Sequence, residues 1–404
     1  MKQGWRDSIA SRQQAAHDAG LWRTRKVLSS HQGVEIVIDG RSVINFSSND
    51  YLGLAGHESL KLSAEKACRD FGVGSGASHL VCGHHQLHHQ LELELAAFVG
   101  AERAILFSSG YMANLAMAAT FLTKGDLLLQ DKLNHASLLD SAKLSASHFK
   151  RYAHCDVEHA AKLLSSVEFN RCMIATDSVF SMDGDVAPLR QLQSLASDQQ
   201  ALLLVDDAHG FGLMGATGQG ALSNQGLSPV AEVLMMGTLG KALGCYGAFV
   251  AGDALYIEHL TQFARPYMYT TALPPSVSAS VLAALAVLAE EGDLLRARLN
   301  ANIRYFKRAA RKHAVTLRPS STAIQVVVIG DSNQSVNISR ALLNQGINLT
   351  AIRPPTVAKG AARLRVALSA AHTFGQIDQL IELLSQQLSK LAVEKNSAEL
   401  NGHD

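Results

Sequence analysis

Lys241 stands in Thr238-Leu239-Gly240-Lys241-Ala242-Leu243-Gly244, 35 residues after the first acid of Asp206-Asp207-Ala208-His209. A lysine amine that forms a Schiff base, with a carboxylate that keeps a pyridine nitrogen protonated, is what pyridoxal 5'-phosphate needs to act as an electron sink. Lys241 fits the first role and Asp206 the second. His209 follows Asp206 by three residues, within reach of a ligand's phenolic oxygen. The flanks Val233 to Met236 and Tyr246 to Val250 are apolar and imply a buried lysine, which is costly unless it is neutralised, paired or consumed in an imine. Gly240 and Gly244 let a flat ring approach the backbone.

A phosphate needs donors. Ser108-Ser109-Gly110-Tyr111 joins an apolar run to a predicted helix starting near Met112, so the amides of Gly110 and Tyr111 become natural phosphate ligands at a helix amino terminus. The hydroxyl of Thr238 is a second candidate. Two other patterns are weaker. Gly72-Val73-Gly74-Ser75-Gly76-Ala77 fits G-x-G-x-x-A, but Lys66 to Phe71 before it reads as a helix end and not as the strand a dinucleotide site requires. His84, His85, His88 and His89 give i,i+4 pairs that suit zinc, yet they lack the H-E-x-x-H order and a third ligand, and no metal is expected.

The elements that position these residues follow a βαβ rhythm. Arg103 to Phe107, Leu127 to Gln130, Cys172 to Thr176, Ala201 to Asp206, Val233 to Met236 and Gly247 to Ala251 are short apolar runs separated by amphipathic stretches. The fold class is α/β, with a mostly parallel sheet covered on both faces. Ser108, Asp131, Asp177, Asp206 and Thr238 fall at or just past strand ends, where open α/β sheets bind ligands. Before this core, a helix near residues 5 to 20 leads to a hairpin, Glu35 to Ile38 and Val43 to Phe46, around Asp39-Gly40. After Pro274-Pro275 a helix-rich segment precedes strands at Ala323 to Ile329, Ile347 to Ala351 and Arg363 to Leu368, with helices near 335 to 344 and 375 to 390. The expected organisation is an arm and hairpin over 1–50, a large domain over 51–285, a smaller α+β domain over 286–390 and a disordered tail over 391–404.

The bulk numbers fit an enzyme of small molecules. With 404 residues, 47% hydrophobic and 18% charged, the chain buries a large core. A formal net charge of +1 gives no general attraction to nucleic acid or to a membrane surface. The longest purely apolar run, Val281 to Ala289, is far below the roughly 20 residues of a membrane span. Five cysteines without CxxC spacing suggest neither a disulfide frame nor a zinc ribbon, and a reducing cytoplasm is the expected location.

Several separate motifs resemble the α-oxoamine synthases, acyltransferases among the fold-type I pyridoxal phosphate enzymes: Asn45 to Leu54 (NFSSNDYLGL), Asn134-His135-Ala136-Ser137, Val179 to Asp185 (VFSMDGD), Asp206 to Gly210 (DDAHG), Thr238 to Lys241 and Ala351 to Val357 (AIRPPTV). The resemblance runs from about Trp5 to Leu388 and implies a large domain with a smaller C-terminal one. It implies Lys241 as the Schiff-base residue, Asp206 on the pyridine nitrogen, His209 on the phenolic oxygen and His135 stacked on the ring. Gly110, Tyr111 and Thr238 would bind phosphate and Ser181 would contact the cofactor. A homodimer with shared active sites is implied, Thr271 reaching the neighbouring subunit's phosphate. Asn49 and Arg365 would hold the amino acid carboxylate, with Arg23 and Thr356 on the acyl substrate. The double proline after Arg353 looks like that of members that condense L-alanine with a pimeloyl thioester, on coenzyme A or an acyl carrier protein, in biotin synthesis. A glycine-using sister such as 2-amino-3-ketobutyrate ligase is the alternative, and a silent partner subunit is disfavoured because Lys241 is present. Asp177, where glutamate is frequent in the family, and Cys245, where serine is common, are mild departures.

Overall fold

The structure, a computed structural model, describes residues 4–400. Near its start, Asp39 and Gly40 both adopt positive φ, 48° and 78°, the backbone that turns a tight hairpin without splaying its strands. They join β1 (Glu35–Ile38) to β2 (Arg41–Asn45) as an antiparallel pair.

The larger of two compact units comprises Leu52–Ser181 and Asp185–Ala297. Its sheet contains β3 (Arg103–Phe107), β4 (Leu127–Asp131), β5 (His148–Tyr152), β6 (Cys172–Asp177), β7 (Leu202–Asp206), β8 (Val233–Thr238) and β9 (Ala248–Gly252), in the order β3-β9-β8-β7-β6-β4-β5. From β5 through β8 every pairing is parallel, as the continuous apolar runs predict. β9 is antiparallel to both β8 and β3, so β3 points the same way as β8. The ends Phe107, Asp131, Asp177, Asp206 and Thr238 therefore share one edge of the sheet, where ligands of such sheets bind. The helix Gly110–Phe121 springs from that edge, and its Ala113, Ala116 and Met117 are buried in the same core as Ile105, Met236 and Val250.

The strand β5 is not among the sequence's apolar runs. It lies at the sheet edge, pairing with β4 alone, and His148, Phe149, Lys150 and Arg151 are exposed. Charged side chains on an edge strand discourage pairing with a second chain, and they also erase the apolar signature.

The smaller unit joins the segment ending at Tyr51, residues Met182–Gly184 and the segment beginning at Arg298. One sheet holds β10 (Ile324–Gly330), β13 (Ala362–Ala367) and β12 (Thr350–Ile352), all antiparallel; the other adds β11 (Ile347–Asn348) beside β2. The single strand expected over Ile347 to Ala351 is thus two, in different sheets. Asn348 is held toward β2, its amide bonded to Asn45 Oδ1 at 2.9 Å and its carbonyl accepting from Phe46 N at 2.9 Å.

The expected divisions at 50–51 and 285–286 differ from these units. The second falls inside the helix Pro275–Lys312, and the units divide instead at Ala297/Arg298. No proline interrupts that helix, so the sequence carries no mark of the division. The arm does not stand apart but groups with the C-terminal segment. The tail expected to be disordered over 391–404 continues the helix Phe374–Leu400; Ala392, Glu394, Lys395, Ala398, Glu399 and Leu400 are good helix formers. Residues 401–404 lie outside the described residues. Among the described residues no helix is long and apolar enough to cross a membrane.

Asp183 explains why Met182–Gly184 groups with the smaller unit. Its Oδ1 accepts from Arg363 NH1 at 2.6 Å and pairs with Arg318 Nε at 2.9 Å. Arg363 is only 6% exposed, so losing its counter-charge strands a buried cation. Asp183→Ala should therefore lower the unfolding free energy by about 3 kcal/mol, the low end for a broken buried pair, because carbonyls of Met182 and Ala361 still accept from Arg363. A denaturant titration against wild type measures it.

Candidate active site

A cavity of about 190 Å³ opens at the common edge of the large sheet, lined among others by Gly110, Tyr111, His135, Ser181, Asp206, His209, Thr238 and Lys241. Eight residues singled out from the sequence for one cofactor thus meet in one place. Lys241 Nζ lies 2.9 Å from His209 Nε2, and Gly244, at φ +67°, passes so close to Leu54 and Ala55 that a Cβ there would lie 2.3 Å from the Ala55 nitrogen. A side chain at 244 would push the lysine loop off that neighbour.

Asp206 is 5% exposed at the end of β7. Its Oδ1 accepts from Ala208 N at 3.0 Å and its Oδ2 from Asn114 Nδ2 at 2.7 Å. Asn114 lies four residues past Gly110 on the same helix, and its amide also donates to Ser137 Oγ at 2.9 Å. Donors on both oxygens fix the orientation of the carboxylate at the cavity wall. Two further acids stand beside it. Asp177 is fully buried, and burial first, then the neighbouring Asp206, raise its pKa well above the ordinary carboxylate value. Burial likewise pushes Asp207 to about 7, against donors from Ser178 Oγ and Ala221 N.

His135 caps the helix Ala136–Leu144, its Nδ1 accepting from Ser137 N at 3.3 Å. Its own amide donates to Asp177 Oδ2 at 3.1 Å. The ring is therefore fixed by its backbone and by the Ser137 hydroxyl at 2.7 Å, while remaining exposed so that a flat ligand can stack on it. Across the cavity, the helix Gly110–Phe121 begins after Ser109, whose Oγ accepts from Met112 N at 3.3 Å. The first-turn amides of Gly110 and Tyr111 have no carbonyl within the helix to bond, which suits a phosphate. A Cβ on Gly110 would lie 3.3 Å from Met236 Cε, so glycine keeps this approach open. Thr238 Oγ1 bonds the Gly247 carbonyl at 3.2 Å, which orients it on the cavity wall. An amine, a buried acid, a helix amino terminus and an exposed ring form a set that fits pyridoxal phosphate.

The other cofactor and substrate residues expected from the sequence are not among those that line this cavity. Thr271 is exposed, bridges Ser78 and is absent from the cavity lining. In the smaller unit Asn49 Oδ1 accepts from both terminal nitrogens of Arg365 at 3.2 Å. Arg365 is 7% exposed, and Tyr51 Oη accepts from it at 3.3 Å. Arg23 and Thr356 line a separate groove of about 800 Å³. Its cations are Arg23, Lys26, Arg340 and Arg353, and among the described residues no acidic side chain lines it. Arg353 bonds the carbonyls of Gly20 and Trp22, and Arg23 that of Pro354 at 3.1 Å, which ties the arm to the double-proline segment.

Sequence reasoning missed Asn114 and Ser137, while Asp177 lies at the strand end where it was expected. Asn114 did carry a signal, as the one amide in the apolar stretch Met112 to Phe121.

The sequence matches the aminotransferase class I and II family over residues 41–384. It is 51% identical over 368 residues to 8-amino-7-oxononanoate synthase of Hydrogenovibrio crunogenus, covering 91% of this chain and 92% of that one. The enzyme of the same name from Hahella chejuensis is 48% identical, at 90% and 92% coverage. Among solved structures, serine palmitoyltransferase from S. paucimobilis superposes with a TM-score of 0.89 at 29% identity, covering 96% and 98% of the two chains. An 8-amino-7-oxononanoate synthase from Francisella tularensis gives 0.76 at 32% identity, covering 87% and 99%. Shape alone does not separate these activities, whereas identity near one half does.

Proposed function

We propose the following of a chain that belongs to the aminotransferase class I and II family and, within it, to the 8-amino-7-oxononanoate synthases: it condenses L-alanine with a pimeloyl thioester, releasing carbon dioxide and the free thiol carrier, to give 8-amino-7-oxononanoate for biotin synthesis. The observation that carries the chemistry is Lys241 sharing one cavity with the buried Asp206.

Pyridoxal phosphate, when bound, supplies the electron sink for a carbanion at the alanine α-carbon. Lys241 holds the cofactor and then takes the alanine Cα proton at Nζ. His209, 2.9 Å from that nitrogen, orients the amine. Asp206 would pair with the ring nitrogen and stabilise charge there as deprotonation proceeds, through electrostatics set before the reaction starts. Asn49 and Arg365 bind the alanine carboxylate, for which a guanidinium fork has the right geometry. Arg23 and Thr356 bind the acyl substrate, and the surplus of cations in their groove suits a ligand that ends in a carboxylate. The catalytic species is a homodimer, Thr271 serving the second copy's phosphate.

A glycine-using sister is the reading to set against this one. Arg353-Pro354-Pro355 and the 46–51% identity to relatives named 8-amino-7-oxononanoate synthase favour the pimeloyl reaction. Steady-state assays with alanine and glycine, each against pimeloyl-CoA, pimeloyl-acyl carrier protein, acetyl-CoA and succinyl-CoA, test it. Expected is kcat/KM for alanine with a pimeloyl donor at least about 10²-fold above any glycine pair. Preference for glycine with a short acyl donor would move the chain to the sister activity.

A further inference from the structure

His154 stands outside the cavity and takes no part in the chemistry above, yet it joins two of the loops that form the cavity wall. Its Nδ1 lies 3.0 Å from Asp131 Oδ1 and its Nε2 2.5 Å from Asp185 Oδ2. Asp131 ends β4, is 1% exposed at its side chain, and shapes the turn that follows. It accepts from Leu133 N and Cys155 N, each at 2.8 Å, and its carbonyl accepts from Asn134 N at 3.3 Å. Asn134 in turn bonds Ala175 O and Asp177 N, and His135 is the next residue. On the other side, the Asp185 carbonyl accepts from Phe180 N at 3.0 Å, and Val179 bridges Val186. That hairpin carries Val179 and Ser181 into the cavity.

We propose that His154 is a positioning residue: as a cation bridging Asp131 and Asp185, it holds the His135 loop and the Ser181 loop at the separation the cofactor ring requires. Bonds from one charged donor to two carboxylates are short and directional. Neutral imidazole has a single N–H and serves only one of the two. The two carboxylates overcome the effect of burial and raise His154 to about 12. The Phe180 ring packs edge-on against the imidazole with centroids 4.4 Å apart, closing one side. Asp131, His154 and Cys155 are also a donor set of the kind that binds metals, but each ring nitrogen is already directed at a carboxylate oxygen.

The inference rests on the pyridoxal phosphate reading of the cavity, which wild-type binding tests separately. The experiment is fluorescence titration of apoenzyme with pyridoxal phosphate, for wild type, His154→Ala and His154→Lys. Alanine should weaken cofactor affinity about tenfold, the scale of a lost charge-assisted bond, and lysine, a cation with three donors, should recover most of it. Wild-type affinity in His154→Ala would overturn the proposal, and so would a lysine variant as weak as the alanine one. Should His154→Ala fail to fold, Asp185→Asn breaks one arm only; its affinity should fall several-fold, and an unchanged value overturns the bridge.

Discussion

Lys241→Ala should lose more than about 10⁴-fold in turnover, because a general base alone contributes about 10²–10⁴-fold and the role proposed for Lys241 adds the covalent link to the cofactor. The variant should fold. Lys241 is half-buried, its side chain reaches His209, and the residues that anchor its loop, Leu239, Ala242 and Leu243, are buried independently of it. The pairing Cys245 N to Leu239 O at 2.9 Å and the close pass of Gly244 over Ala55 are backbone features that alanine leaves untouched. Two measurements check this. The visible absorption of covalently held cofactor should vanish from the purified variant, and its thermal midpoint should remain near that of wild type. Turnover within tenfold of wild type would refute the assignment of Lys241.

The sheet was legible because it is buried on both faces. Leu127-Leu128-Leu129, Met173-Ile174-Ala175 and Leu203-Leu204-Val205 have no reason to be uniformly apolar except burial in a parallel sheet. His148 to Arg151 escaped because an edge strand answers to solvent, and the break at Asn348 escaped because a switch between sheets is made by hydrogen bonds and not by a change of hydropathy. The division within Pro275–Lys312 escaped because it lies inside a continuous helix. At the site, residues that touch a ligand announce themselves by type: an amine between glycines, an acid after five apolar residues. Asn49 and Arg365 are 316 positions apart, and no spacing rule pairs them; only the family resemblance did. Asn114 and Ser137 line the cavity and hold Asp206 and His135 in place, and His154 reaches its wall only through Asp131 and Asp185; their signal is a polar residue where the local pattern is apolar or unremarkable.

Asp206→Asn should lower kcat about 10²–10³-fold, the scale of losing one preorganised electrostatic partner in an active site, while cofactor stays bound and visible. The substitution keeps shape and removes charge. In wild type both carboxylate oxygens face donors, Ala208 N at 3.0 Å and Asn114 Nδ2 at 2.7 Å. An amide offers a single acceptor oxygen, so one of these donors meets an NH₂ group. Asn114 relieves the clash by flipping: its Oδ1 is buried without a hydrogen-bond partner, and turned round it accepts from the new amide. Folding is then retained and the loss falls on chemistry. Asparagine at 206 would offer the ring nitrogen no negative charge, and pyridoxal phosphate held there would be a weaker electron sink. Asn49 and Arg365, the proposed ligands of the alanine carboxylate, are untouched by the substitution, so KM for alanine should stay within a few-fold of wild type. Steady-state kinetics with the absorption spectrum separate this variant from Lys241→Ala: one keeps its colour and loses rate, the other loses both. An Asp206→Asn enzyme with wild-type kcat would remove Asp206 from the mechanism and leave Asp177, buried alongside it, as the acid to test in its place.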